Sequence, residues 1–196
     1  MPRTAIIAIA LVVTLLGSAS AQDFQKGVDA YRRGDYAAAF RELRPLADQG
    51  HAVAQFNLGV MCDKGQGVPQ DYAEAVRWHR KAAEQGFAHA QFNLGVMYDK
   101  GQGVPQDYAE AARWFRKAAE QGDAEAQYGL GMMYHKGQGV PEDKVSAYMW
   151  FNLSAAQGDK DANTNKTNAA KRMTNEQIAE AQRLSRECFA RNYNGC

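Results

Sequence analysis

Apolar and small residues recur at helical spacing in two stretches between residues 51 and 86. In the first stretch the recurring positions are Ala52, Gln55, Leu58, Gly59 and Cys62. In the second they are Tyr72, Ala75, Val76, His79 and Ala83. Spacings of three and four predict a helix A over about residues 52–63 and a helix B over about residues 72–85. The segment is therefore expected to form a helical hairpin.

The segment between the two helices is rich in turn signals. Lys64–Gln70 contains two glycines and Pro69, which disfavour continued helix. Asp71 follows as an N-cap, and Glu74 three residues later predicts a capping box. Gly86 stands where a left-handed C-cap is expected to end helix B.

This hairpin is one unit of a repeat with a period of 36 residues. Residues 87–122 repeat residues 51–86 at all but five positions, and residues 123–158 are a looser third copy. A fixed period of this length is typical of a solenoid, in which each unit packs mainly on its neighbours. An opening hairpin is expected at residues 22–50, and capping helices with a tail at residues 159–196.

Small residues recur where neighbouring helices are expected to meet. They are Gly59, Gly95 and Gly131 on helix A, and Ala75, Ala111 and Ala147 on helix B. Such residues let two backbones approach closely, and a larger side chain would force them apart. Gly59→Leu is therefore predicted to lower the unfolding temperature.

The first 21 residues have the order of a secretory signal peptide. Arg3 precedes an apolar run, and small residues end at Ala19 and Ala21, the positions that a signal peptidase requires. The apolar run is shorter than the ~20 residues of a membrane-spanning helix. We therefore expect cleavage after Ala21, a periplasmic or secreted location, and no stable membrane insertion of the mature chain.

Charge and cysteine usage narrow the choice of partners. The chain has 23 Lys and Arg against 22 Asp and Glu, scattered through every repeat, so no basic stripe favours nucleic acid or an anionic membrane. In an oxidising compartment, Cys188 and Cys196 are expected to form a disulfide that holds the tail on the last helix. Cys62 lies on the packed face of helix A, where a free thiol behaves as a small apolar residue.

Three motifs recur with the period. They are A-x-A-Q-x-x-L-G, K-G-x-G-V-P-x-D, and A-x-x-W, which A-A-x-Q-G follows in the first two copies. With them, residues 51–158 resemble the Sel1-like repeat family, relatives of the tetratricopeptide repeat. The resemblance implies an all-α fold, a right-handed alpha-alpha superhelical solenoid of helical hairpins. It also implies a scaffold or adaptor for protein assemblies, which exported bacterial members provide in envelope assembly or signalling.

The chain departs from the family's pattern at a few capping positions. His51 and Phe87 stand where an aspartate is expected before helix A. In the third copy, Lys144 and Ser146 replace the Tyr and Glu at the start of helix B. Weaker helix caps are therefore predicted at these three places.

In related repeats, ligands commonly lie on the concave surface lined by helix A. Carried over by position, this implies a partner-binding face with residues three or four apart on each helix A. The candidates are Val53, Phe56, Val60, Asp63, His89, Phe92, Val96, Asp99, Glu125, Tyr128, Met132 and His135. A protein or peptide is the expected partner. A second interpretation is that Phe56, Phe92 and Tyr128 only pack between adjacent A helices.

The sequence gives little support to catalysis or metal binding. The four histidines, at 51, 79, 89 and 135, show no pairing at positions i and i+4, so no metal site is expected. No cofactor and no catalytic residue is expected, because no catalytic constellation stands out from the repeated scaffold. Two alternatives remain: binding of a glycan through aromatic and Asp side chains, and binding or hydrolysis of a β-lactam, to which some cysteine-rich secreted Sel1-like proteins have been linked.

Overall fold

The computed structural model describes residues 21–196, and this part of the chain folds into ten α-helices without a strand. The helices are α1 (21–32), α2 (Tyr36–Asp48), α3 (Ala52–Lys64), α4 (Tyr72–Glu84), α5 (Ala88–Lys100), α6 (Tyr108–Ala119), α7 (Ala124–Lys136), α8 (Lys144–Ala156), α9 (Lys160–Ala170) and α10 (Asn175–Ala190). The all-α prediction is confirmed. The predicted signal peptide, apart from Ala21, lies outside the described residues. None of the helices within residues 21–196 is long and apolar enough to cross a membrane.

The chain divides into two compact units, the first ending at Lys81 and the second running from Ala82 to Cys196. Each unit is described by itself. In the three repeats, helix A is α3, α5 and α7, and helix B is α4, α6 and α8. In the first repeat, the observed ends at Lys64 and Glu84 differ by one residue from the predicted ends, so the predicted helices are confirmed.

Aspartate caps the start of helix B. The Asp107 carboxylate accepts a hydrogen bond from the backbone N–H of Glu110 at 3.0 Å. The predicted capping box is corrected here, because the Glu110 carboxylate accepts hydrogen bonds from Arg113 at 3.1 Å. A complete capping box is formed by Thr174 and Gln177 at the start of α10.

The three departures from the repeat pattern have different outcomes. The prediction for His51 is wrong, because its Nδ1 accepts from the backbone N–H of Ala54 at 3.2 Å and so replaces the expected aspartate. Phe87 gives α5 no side-chain cap, which confirms the prediction there. At the third helix B, the Ser146 hydroxyl donates to the Asp143 carboxylate at 2.6 Å and thus supports the cap.

The glycine-rich turn of a repeat packs on the preceding helix B. A Cβ on Gly67 would lie 2.4 Å from the Tyr36 carbonyl oxygen, and a Cβ on Gly139 would lie 2.0 Å from that of Tyr108. Only glycine allows so close an approach of two backbones. These turns are therefore contacts between successive hairpins.

A ring from helix B lies over the central glycine of each helix A. The closest approach of a Cβ built on the glycine would be 2.6 Å for Gly59 on His79, 2.8 Å for Gly95 on Phe115 and 2.7 Å for Gly131 on Phe151. The predicted role of these glycines is thus corrected. They leave space for a buried ring, whereas the sequence suggested space for a second backbone.

Buried glutamines join neighbouring helices within the second unit. The Gln127 side chain, 0% exposed, donates to the Ala119 carbonyl at 3.3 Å and accepts from Gln157 at 2.9 Å. Gln91 accepts from Gln121 at 2.7 Å in the same way. A buried amide with both groups satisfied stabilises one alignment of the helices, since an unpaired one is costly.

The C-terminal tail is fastened to α10. Cys188 and Cys196 form a disulfide with their Cα atoms 5.5 Å apart, as predicted. The Tyr193 ring lies 3.0 Å from the position that a Cβ on Gly122 would occupy. The tail therefore covers the turn that follows α6.

We expect the native chain to react with no thiol reagent and the unfolded, unreduced chain to expose one thiol. Cys62 is the free cysteine; it is 2% exposed, and burial with nearby Glu74 and Asp71 raises its pKa to about 11. Only the thiolate is reactive. Titration with Ellman's reagent, before and after denaturation, measures the count. A thiol count of three without a reductant would contradict the disulfide.

Candidate functional site

The twelve candidate residues lie on the three A helices, and none of these twelve is buried. In the first unit, α3 carries Val53, Phe56, Val60 and Asp63, which are all partly exposed. In the second unit, α5 and α7 carry the other eight. Each A helix therefore packs one face into the core and leaves the candidate face accessible.

The aromatic residue of each candidate stripe packs on a ring of helix B in its own repeat. The ring centroids are 5.7 Å apart for Phe56 and His79, 5.8 Å for Phe92 and Phe115, and 5.9 Å for Tyr128 and Phe151. These are distances of favourable aromatic pairs. The interpretation that the rings pack between adjacent A helices is thus corrected in the partner. The rings stay partly exposed, so this packing leaves them able to touch a ligand.

A groove of about 470 Å³ lies along α5 and α7 in the second unit and reaches the start of α9. We call it the helix-A groove. Six candidates line it: Phe92, Val96, Asp99, Glu125, Tyr128 and Met132. The other lining residues are Lys100, Phe115, Gly129, Met133, Lys136, Gln138, Asp159 and Asp161. Its volume falls within the ~300–1,000 Å³ of ligand pockets.

The sequence carried a signal for two lining residues that were not predicted. Asp161 stands 36 residues after Glu125, so extending the repeat period into the closing helix identifies it. Gly129 replaces the asparagine that stands at 57 and 93 in the other copies. Both residues follow from comparing the third copy with its neighbours.

Carboxylates dominate the charge around Tyr128. Burial raises the pKa of the Tyr128 phenol, and the negative charges of Asp161 and Asp159 raise it further. Asn165 from α9 donates to the phenol oxygen at 3.1 Å. The start of α9 thus orients this ring and places negative charge beside it.

The two candidate histidines of the second unit do not line the helix-A groove. His89 Nδ1 lies 2.9 Å from the carboxylate of Asp123, which caps α7. His135 lines a smaller cavity with Lys144 and Arg172. His89 therefore connects two repeats at the edge of the candidate face.

The helix-A groove offers an apolar floor and a charged rim. Its floor consists of aromatic, Val and Met side chains, and methionine adapts its shape to different partners. Within residues 21–196, no three His, Cys, Asp or Glu side chains are placed to hold a metal ion. The groove is suited to receive apolar side chains of a partner.

The model of the Sel1 repeat family matches residues 52–87, 88–123 and 124–159. Two solved structures resemble the chain over most of its length. A protective antigen of uropathogenic Escherichia coli strains, which displays an SLR fold, is 40% identical with a TM-score of 0.71, over 78% of this chain and 34% of the antigen. A Sel1 repeat protein from Oxalobacter formigenes is 30% identical with a TM-score of 0.70, over 87% of this chain and 78% of that protein.

A curated relative matches over a short segment. The DAP3-binding cell death enhancer 1 of Rattus norvegicus is 39% identical over 44 residues, which are 22% of this chain and 9% of that protein. The chain thus spans a small part of the length of this relative and about a third of the E. coli antigen. Together with the helices described above, the solved structures confirm an all-α solenoid of helical repeats.

Proposed function

The chain belongs to the Sel1 repeat family, and we propose that it is an exported scaffold that binds a partner protein or peptide on its A helices. Sel1 repeat proteins are generally scaffolds for protein interactions, and their all-α fold is typically not enzymatic. The proposed role is in bacterial envelope assembly or signalling.

One observation carries the proposal of the binding face: six residues chosen by their position in the repeat line a single groove. The groove combines aromatic and aliphatic side chains with a charged rim, which is the composition of protein interfaces with a few dominant contacts. Residues of a scaffold that only packed would be buried, whereas Phe92, Val96 and Met132 are partly exposed.

The proposed periplasmic or secreted location is supported by three features. The sequence of residues 1–21 has the order of a signal peptide. Cys188 and Cys196 form a disulfide, a bond that persists in oxidising compartments. None of the helices in the described residues is long and apolar enough to span a membrane, which is compatible with this location.

We expect the variant Phe92→Ala with Asp99→Lys to lose a partner that the native chain captures by crosslinking in envelope extracts. Truncating a central aromatic contact costs about 2 kcal/mol, or about 30-fold in affinity, and the lysine reverses a rim charge. Quantitative mass spectrometry of captured proteins measures the loss.

A matched control makes the same changes in the first repeat, Phe56→Ala with Asp63→Lys. Both variants are checked for an unchanged helical signal by circular dichroism. Identical sets of captured proteins from the native chain and from the Phe92 variant would refute the proposed face. Loss of the partner in both variants would extend the binding face to α3.

We also expect the exported chain to begin at Gln22 when it is expressed with its natural N-terminus in a bacterium. Ala19 and Ala21 supply the small side chains that signal peptidase accepts. Intact-mass measurement of the periplasmic fraction identifies the first residue. An Ala21→Asp variant should accumulate uncleaved, and a mature native protein that retains Met1 would contradict the proposal.

A further inference from the structure

A glycine without a structural need stands in the middle of α7. Gly129 occupies the position of Asn57 and Asn93 in the other copies. Glycine inside a helix is unfavourable by about 1 kcal/mol relative to alanine. A glycine at this place therefore requires a reason.

Packing does not supply that reason. A Cβ on Gly129 would lie 3.4 Å from the Phe115 ring, which is an ordinary contact, whereas a Cβ on Gly131 would lie only 2.7 Å from Phe151. Gly129 also lies inside a regular helix and is not among the glycines with positive φ. A side chain at position 129 would instead enter the helix-A groove, which Gly129 lines.

The rim of the groove carries more negative than positive charge. Four carboxylates line it, at Asp99, Glu125, Asp159 and Asp161, against the two ammonium groups of Lys100 and Lys136. Asp159 uses its carboxylate to cap α9. Within residues 21–196, the carboxylates of Asp99, Glu125 and Asp161 have no hydrogen-bond or salt-bridge partner, so they are available to a ligand.

We propose that the helix-A groove binds a segment of a partner protein that inserts an aromatic or long aliphatic side chain over Gly129 and sets Lys or Arg residues beside it. This inference rests on the proposed function and names the class of its partner. The missing side chain at position 129 leaves space for the apolar anchor above Phe115. The carboxylates favour cationic flanks, since complementary charge steers association and selects partners.

Three short fluorescent peptides on a Gly-Ser background test the proposal by anisotropy. One carries a central Phe between lysines, one has glutamates in place of the lysines, and one has Ser in place of the Phe. We expect the first peptide to bind best, and its affinity to fall as salt rises. Gly129→Asn, which restores the residue of the other copies, should weaken its binding about ten-fold or more, because the anchor site is filled.

Charge variants provide the matched control. Asp99→Asn with Asp161→Asn should weaken the first peptide by about 2–10-fold, whereas Asp63→Asn, in the first unit, should leave it unchanged. Thermal unfolding establishes that Gly129→Asn is folded, since asparagine is the better helix former.

Equal binding of the three peptides, or equal affinity of Gly129→Asn and the native chain, would overturn the proposal. Self-association of the free protein that Gly129→Asn abolishes would assign the groove to a second copy and would also overturn it. If the envelope extract still yields a partner that depends on Phe92, the proposed function stands and only the partner class is wrong. If the extract yields none, the proposed function fails whatever the peptides do.

Discussion

Replacing Gly131 with leucine is expected to lower the free energy of unfolding by about 3 kcal/mol. The space beside this glycine is already filled, because a Cβ built there would lie 2.7 Å from the ring of Phe151. That ring is only 1% exposed, so its surroundings hold it in place. For a chain of this size, the midpoint should fall by about 6–12 °C, measured by circular dichroism during heating. Gly59→Leu should act in the same way, through the ring of His79.

The matched control lies two residues away on the same helix. Gly129→Ala should raise the free energy of unfolding by about 0.5–1 kcal/mol, because a methyl group meets Phe115 at an ordinary distance and a helical glycine is removed. The two positions thus predict opposite signs, and alanine at Gly131 extends the comparison to the same chemical change. Equal stabilities of the Gly129→Ala and Gly131→Ala variants would contradict the packing described here.

Local features of the fold were predictable from the sequence because their causes are local. Helix ends follow from glycine, proline and aspartate within one turn of the boundary, as at Asp107 and Gly65. The disulfide follows from two cysteines eight residues apart, which a helix end and a short tail bring together. Each of these signals is complete within a few residues.

Contacts between repeats were harder to predict, because they depend on side chains distant in sequence. The ring that fills the space beside Gly131 comes from Phe151 in the following helix. The cap at His51 requires an imidazole tautomer and rotamer that the repeat pattern does not specify. The carboxylates of the groove rim come partly from α9, which resembles the repeats only weakly.

The third copy carries more information on binding than the near-identical pair does. The differences between the first two copies include Val53 and His89, and His89 contacts the cap of the next helix. In the third copy, by contrast, Glu125, Gly129 and Met132 all change relative to the second, and all three line the helix-A groove. Departure from a repeat at residues that need not depart for packing is therefore the better guide to a site.

Acid is expected to destabilise the first unit through His79. This imidazole is 1% exposed, its Nδ1 has no hydrogen-bond partner in the described structure, and burial lowers its pKa from 6.5 to about 4. As the pH falls, the unfolded chain therefore takes up the proton first. The stability is complete above pH 6.5 and is lost between pH 6.5 and about 4, by about 3 kcal/mol at the lower end.

The variant His79→Phe should remove this pH dependence, because phenylalanine occupies the same position as Phe115 and Phe151 in the other copies. It should also raise the stability at neutral pH by about 1–3 kcal/mol, since a buried nitrogen without a partner is removed. Urea unfolding at several pH values between 4 and 7 measures both effects. His135→Gln removes an exposed imidazole and should leave the acid loss in place. If the acid loss persists in His79→Phe, other groups cause it, and the neutral buried state of His79 is not what limits the fold in acid.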